Sequence, residues 1–300
     1  MELNAEKFEL QRYGSNLEFH KFNYKSNSGS AIEDKEHVKD LGVTLSRDGT
    51  FKQHIKNTVA TAKSQCSWIL RTFQTRERRP MLLLWKSLVQ CKLDYCSQLW
   101  SPAEKGDIQA VEMVQRSFLR KIPSLQSLNY WEQLNELQMY SQERRRERYA
   151  IIYIWKILEN KVPNLYDSDG IVKVKSKWHT RRGRECIIPS VNQSAKRSVL
   201  ALRYASLPIK GQRLFNEMPP NIRNISGCSV DSFKYHLDKF LKTVPDEPQV
   251  QGYTAQRRCD SNSLIDMTKF AKAHSMSRVE VPGVFTPDRT GCAYSIAGAP

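Results

Sequence analysis

Ile55, Val59, Ala62, Cys66, Ile69 and Phe73 recur at steps of four and three, the spacing of one apolar stripe along an α-helix. A long amphipathic helix is therefore the feature around which the rest of the chain must fold. Lys52, Lys56, Lys63 and Arg71 fall off that stripe. Thr50 followed by Gln53 has the form of a capping box and predicts the helix start there.

Other stretches repeat the helical pattern. Pro80, tolerated in a first turn, opens a helix through MLLLWKSLVQCKLDYCSQLW that Ser101-Pro102 stops. A third helix starts with Asp107 as cap, carries Ile108, Val111, Val114, Gln115, Phe118, Leu119 and Ile122, and ends near Pro123. Asn129 with Glu132 forms another capping box. Ser141 precedes QERRRERYAIIYIWKILENK, and Phe233, Leu237, Phe240 and Leu241 share one face over 230–241.

The flanks differ. Residues 1–45 read as short strands and turns, with Val38, Leu41, Val43 and Leu45 as apolar positions, and RDGT is a turn signal. After Pro163, Val172 and Val174 alternate with Lys173 and Lys175, which predicts a strand or hairpin. From Pro245 the periodicity is lost and a mostly disordered tail is expected. The expected fold class is mainly α, with a small N-terminal β element, a helical bundle, a short β-hairpin region, a terminal helix and that tail. Its expected divisions are 1–49, 50–162, 163–244 and 245–300.

Charge narrows the function. The chain of 300 residues carries 47 Lys and Arg against 31 Asp and Glu, a formal charge of +16, which favours a polyanionic partner, nucleic acid first. Three clusters stand out: Arg71, Arg76, Arg78 and Arg79; then Arg144, Arg145, Arg146 and Arg148; then Lys173, Lys175, Lys177, Arg181, Arg182 and Arg184, with Trp178 among them. The last has no internal Asp or Glu from 171 to 184. The second reads either as a phosphate-binding group or as a solvated helix face paired with Glu143 and Glu147. Trp68, Trp85, Trp100, Trp131 and Trp155 have apolar neighbours on helices and read as core anchors.

Several function classes find no support. The longest apolar runs, AIIYIW and MLLLW, are far below the ~20 residues that cross a bilayer. The start lacks a signal-peptide pattern, so an intracellular address, nuclear or cytoplasmic, is expected. Seven scattered cysteines without a CxxC pair point to free thiols rather than a zinc site. There is no Asp-Asp pair to hold two divalent ions, and YDSDG at 166–170 reads as a surface turn. GxSxG, HExxH and GxxxxGK[ST] are missing as well. His54 and His236 sit beside apolar helix faces and read as core or boundary residues.

In order along the chain, NAEKFELQRYG, HVKDLGVTLSRDGTFKQHI, LVQCKLDYCSQLWSP, DIQAVEMVQRSFLRKI, ERRRERYAIIYIWKIL and RLFNEMPPNIRN with SFKYHLDKFL resemble the C-terminal part of a LINE-type, jockey-like non-LTR retrotransposon reverse transcriptase. The resemblance spans roughly residues 1–265. It implies that 1–49 are a palm remnant with the palm-to-thumb strands. It also implies that the helices after Thr50 are thumb-like, and that Lys7 corresponds to a palm lysine near the incoming nucleotide's phosphates. In that family the catalytic aspartates and their magnesium lie before the NAEKF segment, so no catalytic residue and no cofactor is expected here. The expected partner is RNA or an RNA–DNA duplex, bound nonspecifically by the basic clusters. The alternatives are a host co-opted helical interaction module and a translated relic without function.

Overall fold

The computed structural model describes residues 7–13, 22–26, 29–164, 172, 183–191, 193–194, 196–247 and 262–268. The fold is mainly helical, as expected, with one small N-terminal sheet. That sheet is an antiparallel hairpin of β1 (His37–Asp40) and β2 (Val43–Ser46), in which Asp40 pairs with Val43. Its two-residue turn, Leu41-Gly42, has positive φ at both positions (44° and 85°), the geometry that suits strand twist and favours glycine second. Leu41 was expected at an apolar strand position; the turn instead leaves it 84% exposed.

α1 (Lys52–Thr72) buries Ile55, Val59, Ala62, Cys66 and Ile69, as the stripe requires. Its start differs from the expected capping box. Thr50 donates its N–H and hydroxyl to Asp48 (2.9 and 2.8 Å), which takes the hydroxyl away from the helix, and Phe51 becomes an N-cap without a side-chain bond. The expected continuous second helix is broken. α2 (Arg78–Leu84) widens into a π-helical turn over Trp85–Gln90, followed by α3 (Cys91–Asp94) and α4 (Ser97–Trp100). Between the last two, Cys96 takes a left-handed φ of 49°. The break turns both Trp85 and Trp100 into the core, each fully buried.

α5 (Lys105–Leu119) packs along α1 and begins two residues before Asp107, which sits in its first turn, where a carboxylate meets the positive helix end. α6 (Tyr130–Glu136) starts at the expected capping box of Asn129 and Glu132. The buried apolar residues of α1 to α6 form one cluster.

A second cluster gathers on α7 (Gln142–Leu158), whose Ser141 cap accepts from the Arg144 N–H at 3.1 Å. Ile151, Ile154 and Trp155 of α7 pack with a π-helical turn over Leu207–Gly211, α9 (Gln212–Glu217), α10 (Pro220–Arg223) and α11 (Val230–Leu241), and α8 (Arg197–Ala205) packs on that π-helical turn. Trp155 stacks on Phe233 with centroids 4.3 Å apart, and its Nε1 donates to Ile225 O at 2.8 Å. Within the tail, residues 262–268 seat against this cluster with Leu264 fully buried.

Candidate nucleic-acid interface

Among the described residues, a continuous cationic face lies on α1. No Asp or Glu occurs between Lys52 and Thr72. Lys56, Lys63 and Arg71 are exposed and fall within one side of the helix at 100° per residue. From Lys56 to Arg71 the helix rises about 22 Å. The exposed Ala60, Ser64 and Ser67 interleave small side chains among the cations, so the helix surface can approach a phosphate chain closely. None of these three cations has a hydrogen bond or ion pair among the described residues. Lys52, one turn earlier, is held by Glu104 at 2.8 Å, and that contact raises its pKa.

Trp68 borders this face and is 45% exposed, with only an edge contact to Phe73 at 6.0 Å. It is therefore not the core anchor expected, because its position falls outside the buried stripe. A ring so placed can stack on an unpaired base. Trp85, Trp100 and Trp155 are core anchors, and Trp131 is half-buried.

The first predicted cluster divides. Arg71 and Arg79 are exposed. Arg76 instead turns back to donate to the carbonyls of Leu70 and Phe73, filling acceptors that every helix leaves open at its C-terminus. Arg78 bonds Glu136 twice, at its carboxylate (2.8 Å) and its carbonyl (2.6 Å). Both are corrected to fold-holding groups on the rim of this surface.

The second cluster is corrected more strongly, since neither expected reading holds. Arg144 is fully buried and donates to the carbonyls of Val244 and Pro245. Arg146 is buried, lies 4.0 Å above the Trp100 ring and donates to Leu93 O at 2.9 Å. Arg145 pairs with Asp94 and Arg148 with Asp238. Glu147 is buried and accepts from Ser263 and Leu264, both at 2.7 Å. The sequence could not separate these cases, because an Arg-Glu run on a helix looks the same whether solvent or another chain segment faces it.

Of the third cluster, Lys173, Lys175, Lys177, Trp178, Arg181 and Arg182 lie outside the described residues, as does YDSDG. Arg184 is described and is not available for phosphate: it pairs with Glu159 at 2.5 Å with both side chains largely buried. Gly183 beside it has φ 67°, and a Cβ there would clash with Asn224 Oδ1, the atom that accepts the Arg184 N–H. Lys7 is exposed and has no hydrogen bond or ion pair among the described residues.

Among the described residues, no group of three or more His, Cys, Asp or Glu is placed to hold a metal ion, and no helix is long and apolar enough to cross a membrane. His54 is buried, accepts from the Thr44 N–H at Nδ1 (3.2 Å), and burial lowers its pKa. His236 is exposed.

Sequence reasoning placed Arg71 in the first basic cluster but left Lys56 and Lys63 off the apolar stripe without a role. The signal that singles them out is the missing acidic residue over 21 helical positions, legible in the sequence. Comparison with protein-family models, with curated proteins and with solved structures finds no match.

Proposed function

We propose that this chain is a thumb-like, nucleic-acid-binding region of a non-LTR retrotransposon reverse transcriptase, which grips RNA or an RNA–DNA duplex through its backbone without reading sequence. The observation that carries the reading is the acid-free face of α1, where Lys56, Lys63 and Arg71 stand exposed along about 22 Å of helix. Cations in a row on a rigid rod can meet successive phosphates, and each neutralised phosphate releases counterions. The ordered resemblance of six segments supplies the class of partner. On this reading the residues of this chain supply grip, and the resemblance implies no catalytic residue among them.

Two assays test it. A labelled RNA–DNA hybrid titrated at rising salt should lose affinity steeply, with a log-log slope of roughly −0.9 for each phosphate contacted. Binding that ignores salt, or none at low salt, would refute the proposal. Primer-template offered with nucleotides and magnesium should not be extended by this chain alone.

A further inference from the structure

Arg146 is the one buried arginine on α7 that meets no carbonyl or carboxylate with most of its donors. Its Nη2 reaches Leu93 O. Its Nε and Nη1 have no hydrogen-bond partner among the described residues, and neither does the buried hydroxyl of Ser97. Burial lowers the Arg146 pKa to about 10, with Asp94 and Glu112 opposing that fall from a distance, so the group keeps its charge at neutral pH. A buried cation without a counter-charge is costly.

Arg146 and Ser97, the residues that carry these donors, both line one small cavity. It measures about 20 Å³ and is bounded by Ser97, Ser101, Arg146, Glu147, Lys210 and Gly211 among others. Room of that size accepts a single water-sized occupant. Glu147 is the only carboxylate on its wall, and its oxygens are taken by Ser263, by the Leu264 N–H and by Lys210 at 3.4 Å. The wall therefore offers donors and positive charge, and its one carboxylate is already engaged by three partners. A second cavity of about 10 Å³, which shares Ser101, Arg146 and Lys210 with the first, has Glu143 on its wall and suits an anion less well.

We propose that the Ser97–Arg146–Lys210 cavity is a binding site for one monoatomic anion, a halide, that serves as the counter-ion of the buried guanidinium. A neutral water could satisfy one or two of the donors but would leave the charge unbalanced. Water-sized room suits a single small anion better than a phosphate group, and no α1 residue lines the cavity, so the site is separate from the nucleic-acid face on α1.

The full chain is tested by ³⁵Cl NMR line broadening and by thermal unfolding in sodium gluconate replaced stepwise by chloride or bromide at fixed ionic strength. Saturable excess broadening and a halide-dependent rise in Tm are expected. Ser97→Ala, which removes one donor and little volume, should weaken halide affinity roughly tenfold. Lys210→Met, at the cavity rim, should do at least as much. Equal Tm in gluconate and halide, without saturable broadening, would mean that the cavity holds water only and would overturn the proposal. Saturable broadening that both variants leave unchanged would place the anion elsewhere on this cationic chain and would overturn it equally.

Discussion

Arg145 and Asp94 form a forked ion pair across the two halves of the molecule: Nε lies 3.1 and 3.0 Å from the two carboxylate oxygens, and Nη2 lies 2.8 Å from Oδ2. Asp94 ends α3, whereas Arg145 sits in the second turn of α7. The same carboxylate accepts from Gln90 Nε2 at 2.7 Å and from the Tyr149 hydroxyl at 3.1 Å. One acid thus collects the donors of two helical clusters, and the arginine run of α7 is an interior fastening rather than an outward charge.

Arg145→Ala should therefore lower stability and leave nucleic-acid affinity unchanged. Both partners are largely but not wholly shielded, with side chains 32% and 20% exposed, so a loss of about 1–3 kcal/mol is expected. Urea midpoints measure it. A double-mutant cycle with Asp94→Ala should give a coupling energy of at least half that loss.

Glu112 gives the fold a pH dependence. It is buried among Tyr130, which donates to it, and the Gln142 N–H, 2.9 Å from Oε2. Burial pushes its pKa up from 4.5 to about 8, against the pull of the Tyr130 and Gln142 bonds. Between those values the folded chain holds a proton that the unfolded chain releases, so stability falls as pH rises from about 4.5 to about 8 and is level above. Glu112→Gln should flatten that slope, gaining up to a few kcal/mol over the native sequence between about pH 5 and pH 8. Thermal unfolding across that range reads the difference.

The segment 262–268 is an integral part of the second core. Leu264 is fully buried and Met267 is 7% exposed, while Asn262 Nδ2 bridges the Asp246 carboxylate (2.6 Å) and the Ser141 hydroxyl (3.2 Å) at the α7 cap. Leu264→Ala should cost about 2–5 kcal/mol. A chain ending at residue 247 should lose at least as much, because Glu147 loses its Ser263 and Leu264 donors and the second core loses the Leu264 side chain. Denaturant midpoints of the two variants decide this.

Thiol reactivity reports the same burial from another side. Burial pushes the Cys66 and Cys186 thiols up to about 12, whereas Cys91 is exposed. Iodoacetamide followed by peptide mapping should label Cys91 in the folded chain and label Cys66 and Cys186 at least about tenfold more slowly until denaturant is added.

Much of the helical frame is legible in the sequence, and the reasons are local. The α1 stripe, the Asn129–Glu132 capping box and the Phe233–Leu241 face each depend on residues within a few positions of one another. What escaped local reading depends on distant partners. The break at Cys96 goes with the burial of Trp85 and Trp100, which lie on either side of it. The inward turn of Arg144 needs carbonyls a hundred residues away, and the seat of 262–268 needs Glu147. Trp68 shows the same limit in reverse: its apolar neighbours suggest burial, but its angle on the helix leaves it at the surface. The cationic face of α1 was readable throughout, as an acid-free helix whose basic residues avoid the apolar stripe.

The most direct test compares the native chain with Lys56→Gln/Lys63→Gln/Arg71→Gln in salt titrations of a labelled RNA–DNA hybrid, after circular dichroism establishes equal helicity. The account predicts weaker binding at every salt concentration and a log-log slope shallower by roughly 2.7, the share of three lost phosphate contacts. Arg145→Ala should match the native slope. An unchanged slope and affinity in the triple variant would contradict the central claim that α1 is the surface that grips nucleic acid.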